Sequence, residues 1–143
     1  AWWFGGGFDL TPFYPFDEDV QHWHTVAREL CAPYGEDRYG AHKRWCDEYF
    51  FIRHRNEARG VGGIFYDYHD SGNWARDFAF TQDVGRAFLD IYPRLVRARM
   101  QDAFGETEKK AQRIKRGRYA EFNLVYHRGT RFGLMTGGNI DAI

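Results

Sequence analysis

A chain of 143 residues with 28% charged and 43% hydrophobic content can bury a core and is not of the disordered type. Twenty basic and twenty acidic residues cancel to a formal net charge of zero, so no whole-chain field steers it to nucleic acid or to an anionic membrane. No apolar run reaches the roughly 20 residues that span a bilayer. Two cysteines without a Cys-x-x-Cys pattern allow one disulfide, but they fit a reducing compartment more simply.

In chain order, Trp2-Trp3-Phe4 reads as the end of a strand and Gly5-Gly6-Gly7 as a break, followed by a loop through Pro12 and Pro15. Asp17-Glu18-Asp19 marks a helix start, and Val20, Trp23, Ala27 and Leu30 form one apolar stripe that Pro33 and Gly35 end. A second helix is predicted over residues 39–58, then a strand from Val61 through Ile64-Phe65-Tyr66. Residues 78–104 read as the longest helix, kinked or divided at Pro93, and residues 106–115 as a short charged one. Apolar Ala120, Phe122, Leu124 and Tyr126 alternate with Glu121 and Asn123, which predicts a strand over residues 119–126, a turn at 127–130 and a return strand at 131–135. The sum is an α+β domain with an antiparallel sheet.

Several groups could carry chemistry. The aromatic share of 19% fits either a ring-rich core or a pocket for a flat ligand. Asp9 follows the glycines in an aromatic setting, where a desolvated carboxylate could accept ligand N–H groups or could instead bind local backbone in a turn. His24, on the edge of the first stripe, could meet His54 in a metal pair or sit in the core. The cluster from His54 to Arg59 is either a solvated helix end or an arginine rim for carboxylates. Six cations lie between Lys109 and Arg118; a solvated helix balanced by Glu106 and Glu108 explains them better than nucleic-acid binding. Gly137-Gly138-Asn139 could cradle a carboxylate or simply turn the chain.

Five ordered runs together resemble the oxygen-dependent coproporphyrinogen III oxidase family. They are Trp2-Trp3-Phe4-Gly5-Gly6-Gly7-Phe8-Asp9-Leu10-Thr11-Pro12, Lys43-Arg44-Trp45-Cys46-Asp47-Glu48-Tyr49-Phe50, His54-Arg55-Asn56-Glu57-Ala58-Arg59-Gly60-Val61-Gly62-Gly63-Ile64-Phe65, Asp77-Phe78-Ala79-Phe80, and Arg116-Gly117-Arg118-Tyr119-Ala120-Glu121-Phe122-Asn123-Leu124-Val125-Tyr126. Arg128-Gly129-Thr130 and Phe132-Gly133-Leu134 complete the set.

The resemblance implies a large flat antiparallel sheet flanked by helices on both faces, in a homodimer formed through the region from Tyr119 onward. The implied reaction converts two propionates of coproporphyrinogen III to vinyls, giving protoporphyrinogen IX in haem biosynthesis. Oxygen serves as co-substrate and no organic cofactor takes part; a divalent metal is assigned to bacterial members. Asp9 matches the aspartate that holds pyrrole N–H groups, and His24 and His54 match the metal ligands. Gly137, Gly138 and Asn139 match a Gly-Gly-Arg substrate triplet, with Asn139 in place of arginine and His127 in place of a frequent aspartate. Arg118 and Arg128, with Arg55, Arg59 and Arg116, are candidates to pair with the substrate's four propionates. A cytoplasmic location is expected. Residues 1–143 are expected to be part of a longer domain, lacking an upstream segment with a proton-donor histidine and a C-terminal end, and to be inactive alone. The alternative is a catalytically inactive porphyrin-binding or dimerisation module.

Overall fold

A computed structural model describes residues 1–142. The chain is α+β, with helices α1 (Asp17–Cys31), α2 (Arg38–Tyr49), α3 (Trp74–Arg99), α4 (Glu106–Val125) and α5 (Arg128–Met135). Strands β1 (Phe4–Leu10) and β4 (Gly62–His69) form one antiparallel ribbon; the two-residue strands β2 (Phe51–Ile52) and β3 (Glu57–Ala58) form another. A large flat sheet is not seen: among the described residues both sheets are two-stranded.

The β1–β4 ribbon is the organising element. Phe8 stands opposite Ile64 and Gly6 opposite Tyr66, while Asp9 stands opposite Gly63 and Gly7 opposite Phe65. Alternation along a strand puts the first two pairs on one face and the last two on the other. Phe8, Ile64 and Tyr66 join Trp23, Ala27 and Cys31 of α1 and Phe80, Val84 and Ile91 of α3 in the buried core. The predicted α1 stripe thus packs as expected, and Trp23, fully buried, also donates from Nε1 to the Gly62 carbonyl at 3.1 Å. Truncating such a tryptophan costs about 3–5 kcal/mol.

Three elements differ from their sequence reading. Gly5-Gly6-Gly7 lies inside β1 rather than ending it. A Cβ on Gly7, at φ 145°, would overlap the Ile64 carbonyl oxygen, so the glycines let two backbones approach closely. The second helix ends at Tyr49, and residues 50–58 turn through β2, a short 3-10 turn and β3. Asn56 makes that turn in the left-handed conformation at φ 51°, which asparagine tolerates.

The third difference is the largest. Residues 119–125 and 131–135 are helical, not strands, with Tyr126 capping the first helix, so the expected hairpin is two helices. The period-two pattern misled because only Phe122 is buried, while Leu124 is 54% exposed. The contacts instead follow helical spacing: Tyr119, Phe122 and Tyr126 share one side of α4, with the last two rings 6.0 Å apart. Strong helix formers from Glu106 to Arg116 start α4, and the Glu108 carboxylate accepts the Gly105 N–H at 2.8 Å. His127 then starts α5 by accepting the Thr130 N–H on Nδ1 at 3.2 Å. Pro93 lies within an unbroken α3. The proline frees the Leu89 carbonyl, and Leu89 is 72% exposed, so water can reach it.

Gly7→Ala is expected to cost about 2–3 kcal/mol through forced separation of β1 from β4. Gly85→Ala, in mid-α3 with open space around its missing Cβ, should gain about 0.5–1 kcal/mol. Urea unfolding of both variants tests the close approach; shifts in the same direction would contradict it.

Candidate functional site

The ribbon face away from the core carries Asp9, Gly7, Gly63 and Phe65. Asp9 Oδ2 accepts a hydrogen bond from the Arg59 guanidinium, in an ion pair whose side chains are 23% and 6% exposed. Two backbone bonds place the arginine: its N–H donates to the Phe50 carbonyl at 3.1 Å, and the Val61 N–H donates to the Leu10 carbonyl at 2.9 Å. Burial pushes the Asp9 carboxyl above its ordinary range, although the charge of Arg59 and its hydrogen bond pull the other way.

The guanidinium lies under aromatic rings. Its central carbon is 4.0 Å from the Phe50 ring centre, 4.7 Å from Tyr119 and 5.1 Å from Phe122. Phe65 carries the aromatic layer along the ribbon, with Tyr49 stacked on it at 4.8 Å and Trp45 edge-on at 5.6 Å. Two polar atoms stay buried without partners here: Arg59 Nε and Thr11 Oγ1.

A polar belt surrounds this centre. Arg55 grips Glu121 through two bonds of 2.5 and 2.9 Å, and His54 Nε2 meets the same carboxylate at 2.8 Å. Those bonds hold the Glu121 carboxyl down at about 2. Arg118 donates to Glu57 at 2.9 Å, and Arg128 reaches Asp67 at 3.3 Å while lying over Tyr49. Arg116 lies over the Tyr119 ring at 5.2 Å. Within the basic run, Lys109 also lies beside Glu106 at 3.9 Å.

Asp9 is largely buried and is paired with Arg59, which lies among the rings of Phe50, Tyr119 and Phe122, while Arg55 and Arg118 pair with Glu121 and Glu57. His24 and His54 are not brought together. His24 bonds the Val61 carbonyl through Nε2 at 2.8 Å and the Tyr39 hydroxyl through Nδ1 at 3.0 Å. His54 bonds Glu121 through Nε2 and the Tyr126 hydroxyl through Nδ1 at 2.7 Å. Both nitrogens of each ring are therefore engaged, and among the described residues no group of three or more His, Cys, Asp or Glu side chains could hold a metal ion. As they stand, these two histidines do not fit a metal.

Gly137-Gly138-Asn139 ends α5. The Gly138 N–H donates to Gly133 at 2.7 Å and the Gly137 N–H to Leu134 at 3.4 Å, with Gly137 at φ 74°. This is the paired 6→1 and 5→2 closure of a helix terminus, so those backbone donors are already engaged. Asn139 accepts the Asp141 N–H at 3.1 Å.

A cavity of about 780 Å³ lies elsewhere, lined by Leu10, Phe13, Phe16, Tyr92, Val96 and Phe104 among others. Leu10 neighbours Asp9 but points to the opposite face of the ribbon, so this cavity does not contain the Asp9 carboxylate. Cys31 and Cys46 are both buried and free, and burial pushes their thiols up to about 11 and about 12. Among the described residues no helix is long and apolar enough to cross a membrane.

The ribbon's outer face thus holds a buried carboxylate–arginine pair under an aromatic layer, in an α+β chain. The coproporphyrinogen III oxidase family model matches residues 1–143, and the chain belongs to that family. Membership places it in haem biosynthesis with coproporphyrinogen as the family substrate.

Sequence reading considered Arg59 only as part of a carboxylate rim. Its pairing with Asp9 follows from register: Leu10 opposite Gly62 brings the residues just before β4 beside the end of β1. The two glycine-rich runs are the available signal, because Gly7 opposite Phe65 and Gly63 opposite Asp9 let the two backbones approach closely.

Arg59→Met would leave the Asp9 carboxylate buried without its cation, at a cost of about 3 kcal/mol at neutral pH. Because burial raises the Asp9 pKa, and loss of Arg59 raises it further, the penalty is small below the unfolded value of 3.8 and grows as pH rises through the folded value. Asp9→Asn added to Arg59→Met should recover most of the loss. Urea unfolding of the three variants from acid to neutral pH checks this; a penalty independent of pH would contradict the assignment.

Proposed function

We propose that this chain forms the Asp9-centred part of the site of an oxygen-dependent coproporphyrinogen III oxidase. The observation that carries the reading is the Asp9–Arg59 pair on an aromatic-lined ribbon face, in a chain matched from end to end by the family model. A porphyrinogen presents pyrrole N–H groups inward and propionates outward. Asp9 Oδ2 is taken by Arg59, and among the described residues Oδ1 accepts no hydrogen bond, so this oxygen can take a pyrrole N–H. A carboxylate with a raised pKa is also the better proton acceptor.

Arg59, Arg118 and Arg128 are the cations we assign to propionates, by charge-assisted bonds of the type they already make to Asp9, Glu57 and Asp67. In each of two rounds a propionate loses carbon dioxide, two electrons and one proton to leave a vinyl. Dioxygen takes the two electrons with that proton and one from solution to become hydrogen peroxide. The reading calls on dioxygen as co-substrate and on no organic cofactor, and it routes no step through a metal.

It also takes the protein as a cytoplasmic homodimer. Exposed Leu124, Phe132 and Met135, the last two 69% and 84% exposed, support an interface in the region from Tyr119 onward.

A second reading, a porphyrin-binding module without turnover, is favoured by one observation. Gly137 and Gly138 spend their N–H groups on the end of α5, and Asn139 supplies no guanidinium.

The experiment is an assay with anaerobically prepared coproporphyrinogen III, opened to oxygen, on the protein that carries residues 1–143. Protoporphyrin fluorescence follows product after oxidation, and a coproporphyrin titration follows binding. Asp9→Asn should lower kcat by at least about 100-fold, the scale of a positioned acid–base group, and because it also leaves Arg59 buried without its carboxylate, kcat is measured at a temperature where the variant is fully folded. Binding without product in the unsubstituted protein would select the second reading. An unchanged kcat in folded Asp9→Asn would remove Asp9 from the chemistry.

A further inference from the structure

The cavity of about 780 Å³ opens between the start of α1, the end of α3 and the start of α4, on the face of the ribbon away from Asp9. Phe13, Phe16, Tyr92, Val96, Met100 and Phe104 line it. Large apolar side chains that converge on one hollow and stay open to water mark a binding surface, and here Met100 is 63% and Phe104 61% exposed. The volume is that of a small-molecule site, and an apolar wall with a few polar groups is the usual composition of one.

The polar groups give the hollow a sign. Among the described residues its charged lining is Asp19, Asp102 and Glu108 against Arg99 alone. Glu18 adds a further carboxylate, because Arg99 is shared among Glu18, Asp19 and Asp102. Asp102 is the least engaged of them, 3.6 Å from the guanidinium with its side chain 46% exposed. The rings already take cations. The central carbon of Arg99 is 4.0 Å from the Phe16 ring centre, and the Lys109 ammonium is 5.7 Å from that of Phe104.

We propose that this cavity binds an apolar cation, a charged amine on a hydrocarbon or aromatic body. The body displaces water from the apolar lining, and the head stays at the mouth, where Asp102 and the ring faces attract it. An anion of the same shape meets Asp19, Asp102 and Glu108 instead, so the sign of the head selects the ligand. The functional reading above uses none of these residues, and this inference stands or falls apart from it.

The test uses the protein that carries residues 1–143 and the neutral dye Nile red, whose fluorescence rises in apolar surroundings. The dye is displaced by octyltrimethylammonium or by octyl sulfate, which share a tail and differ in the sign of the head, both kept below micelle formation. The ammonium should displace it at a concentration at least about fivefold lower, since each head gains or loses on the scale of an exposed ion pair. Asp102→Asn should reduce that preference by about two- to fivefold. Val96→Trp, at a position 42% exposed, should fill the cavity and abolish dye binding while the far-ultraviolet circular dichroism stays that of the unsubstituted protein. Leu89→Ser removes an exposed apolar side chain of α3 outside the cavity and should leave dye binding unchanged.

No dye binding by the unsubstituted protein, or dye binding that survives in folded Val96→Trp, overturns the site. Loss of dye in Leu89→Ser would assign binding to the apolar surface at large and overturns it too. Equal displacement by the two heads, or a preference for the sulfate, overturns the cation, and an unchanged preference in Asp102→Asn overturns the role of that carboxylate. Should Val96→Trp not fold, the comparison of heads and Asp102→Asn decide.

Discussion

The site depends on one ion pair. Asp9 is the penultimate residue of β1, and Arg59 lies three residues before β4 begins, so the pair joins the two ends that the ribbon register brings together. A charge buried at this depth is tolerated only with its partner in place. The geometry that provides the partner is the geometry that pairs the strands. The glycines serve this pairing, because a Cβ at Gly7 or Gly63 would meet the carbonyl of Ile64 or Phe8 on the partner strand. Fold and site therefore share a single constraint, and a change that widens the ribbon alters the electrostatics of Asp9 at the same time.

The two faces of the ribbon divide the labour. The inner face is apolar and static: Phe8, Ile64 and Tyr66 lock against α1 and α3, and His24 and Trp23 hold the Val61 and Gly62 carbonyls. The outer face combines two carboxylates with arginines and rings, Asp9 with Arg59 near one end and Asp67 with Arg128 near the other, with Phe65 between them. Charge there is balanced locally, pair by pair, in a chain whose total is zero. That balance hides the site from any reading of net charge, and it leaves the arginines ready to exchange one carboxylate for another.

Legibility followed the physics of each segment. The α1 stripe was readable because Val20, Trp23, Ala27 and Leu30 keep helical spacing and face one core. The β4 strand was readable from its β-branched and aromatic run, whereas the rings around the Asp9–Arg59 pair, Phe50, Tyr119 and Phe122, come from far along the chain. Residues 119–126 were not readable, because a short alternating stretch fits a strand as well as a helix whose buried side holds Tyr119, Phe122 and Tyr126. There the ion pairs to Glu57, Arg55 and His54 and the stacking on Arg59 are all long-range in sequence. Gly5-Gly6-Gly7 was read as a break because glycine usually punctuates; only the partner strand shows that its missing Cβ atoms are needed. The metal pair failed as geometry for a related reason: the partners that occupy His24 and His54 come from Val61, Tyr39, Glu121 and Tyr126, none of them near in sequence to the histidine each one holds.

The same long-range contacts connect the arginine cluster to catalysis in the proposed reading. An arginine that must hold a propionate cannot stand unpaired in a folded protein without repelling its neighbours, and Arg55, Arg59, Arg118 and Arg128 each meet a carboxylate here. Internal carboxylates solve that problem before substrate arrives. Glu121 suits the role because its two oxygens match the planar fork of Arg55, and it stands on α4, which also carries the rings covering Arg59.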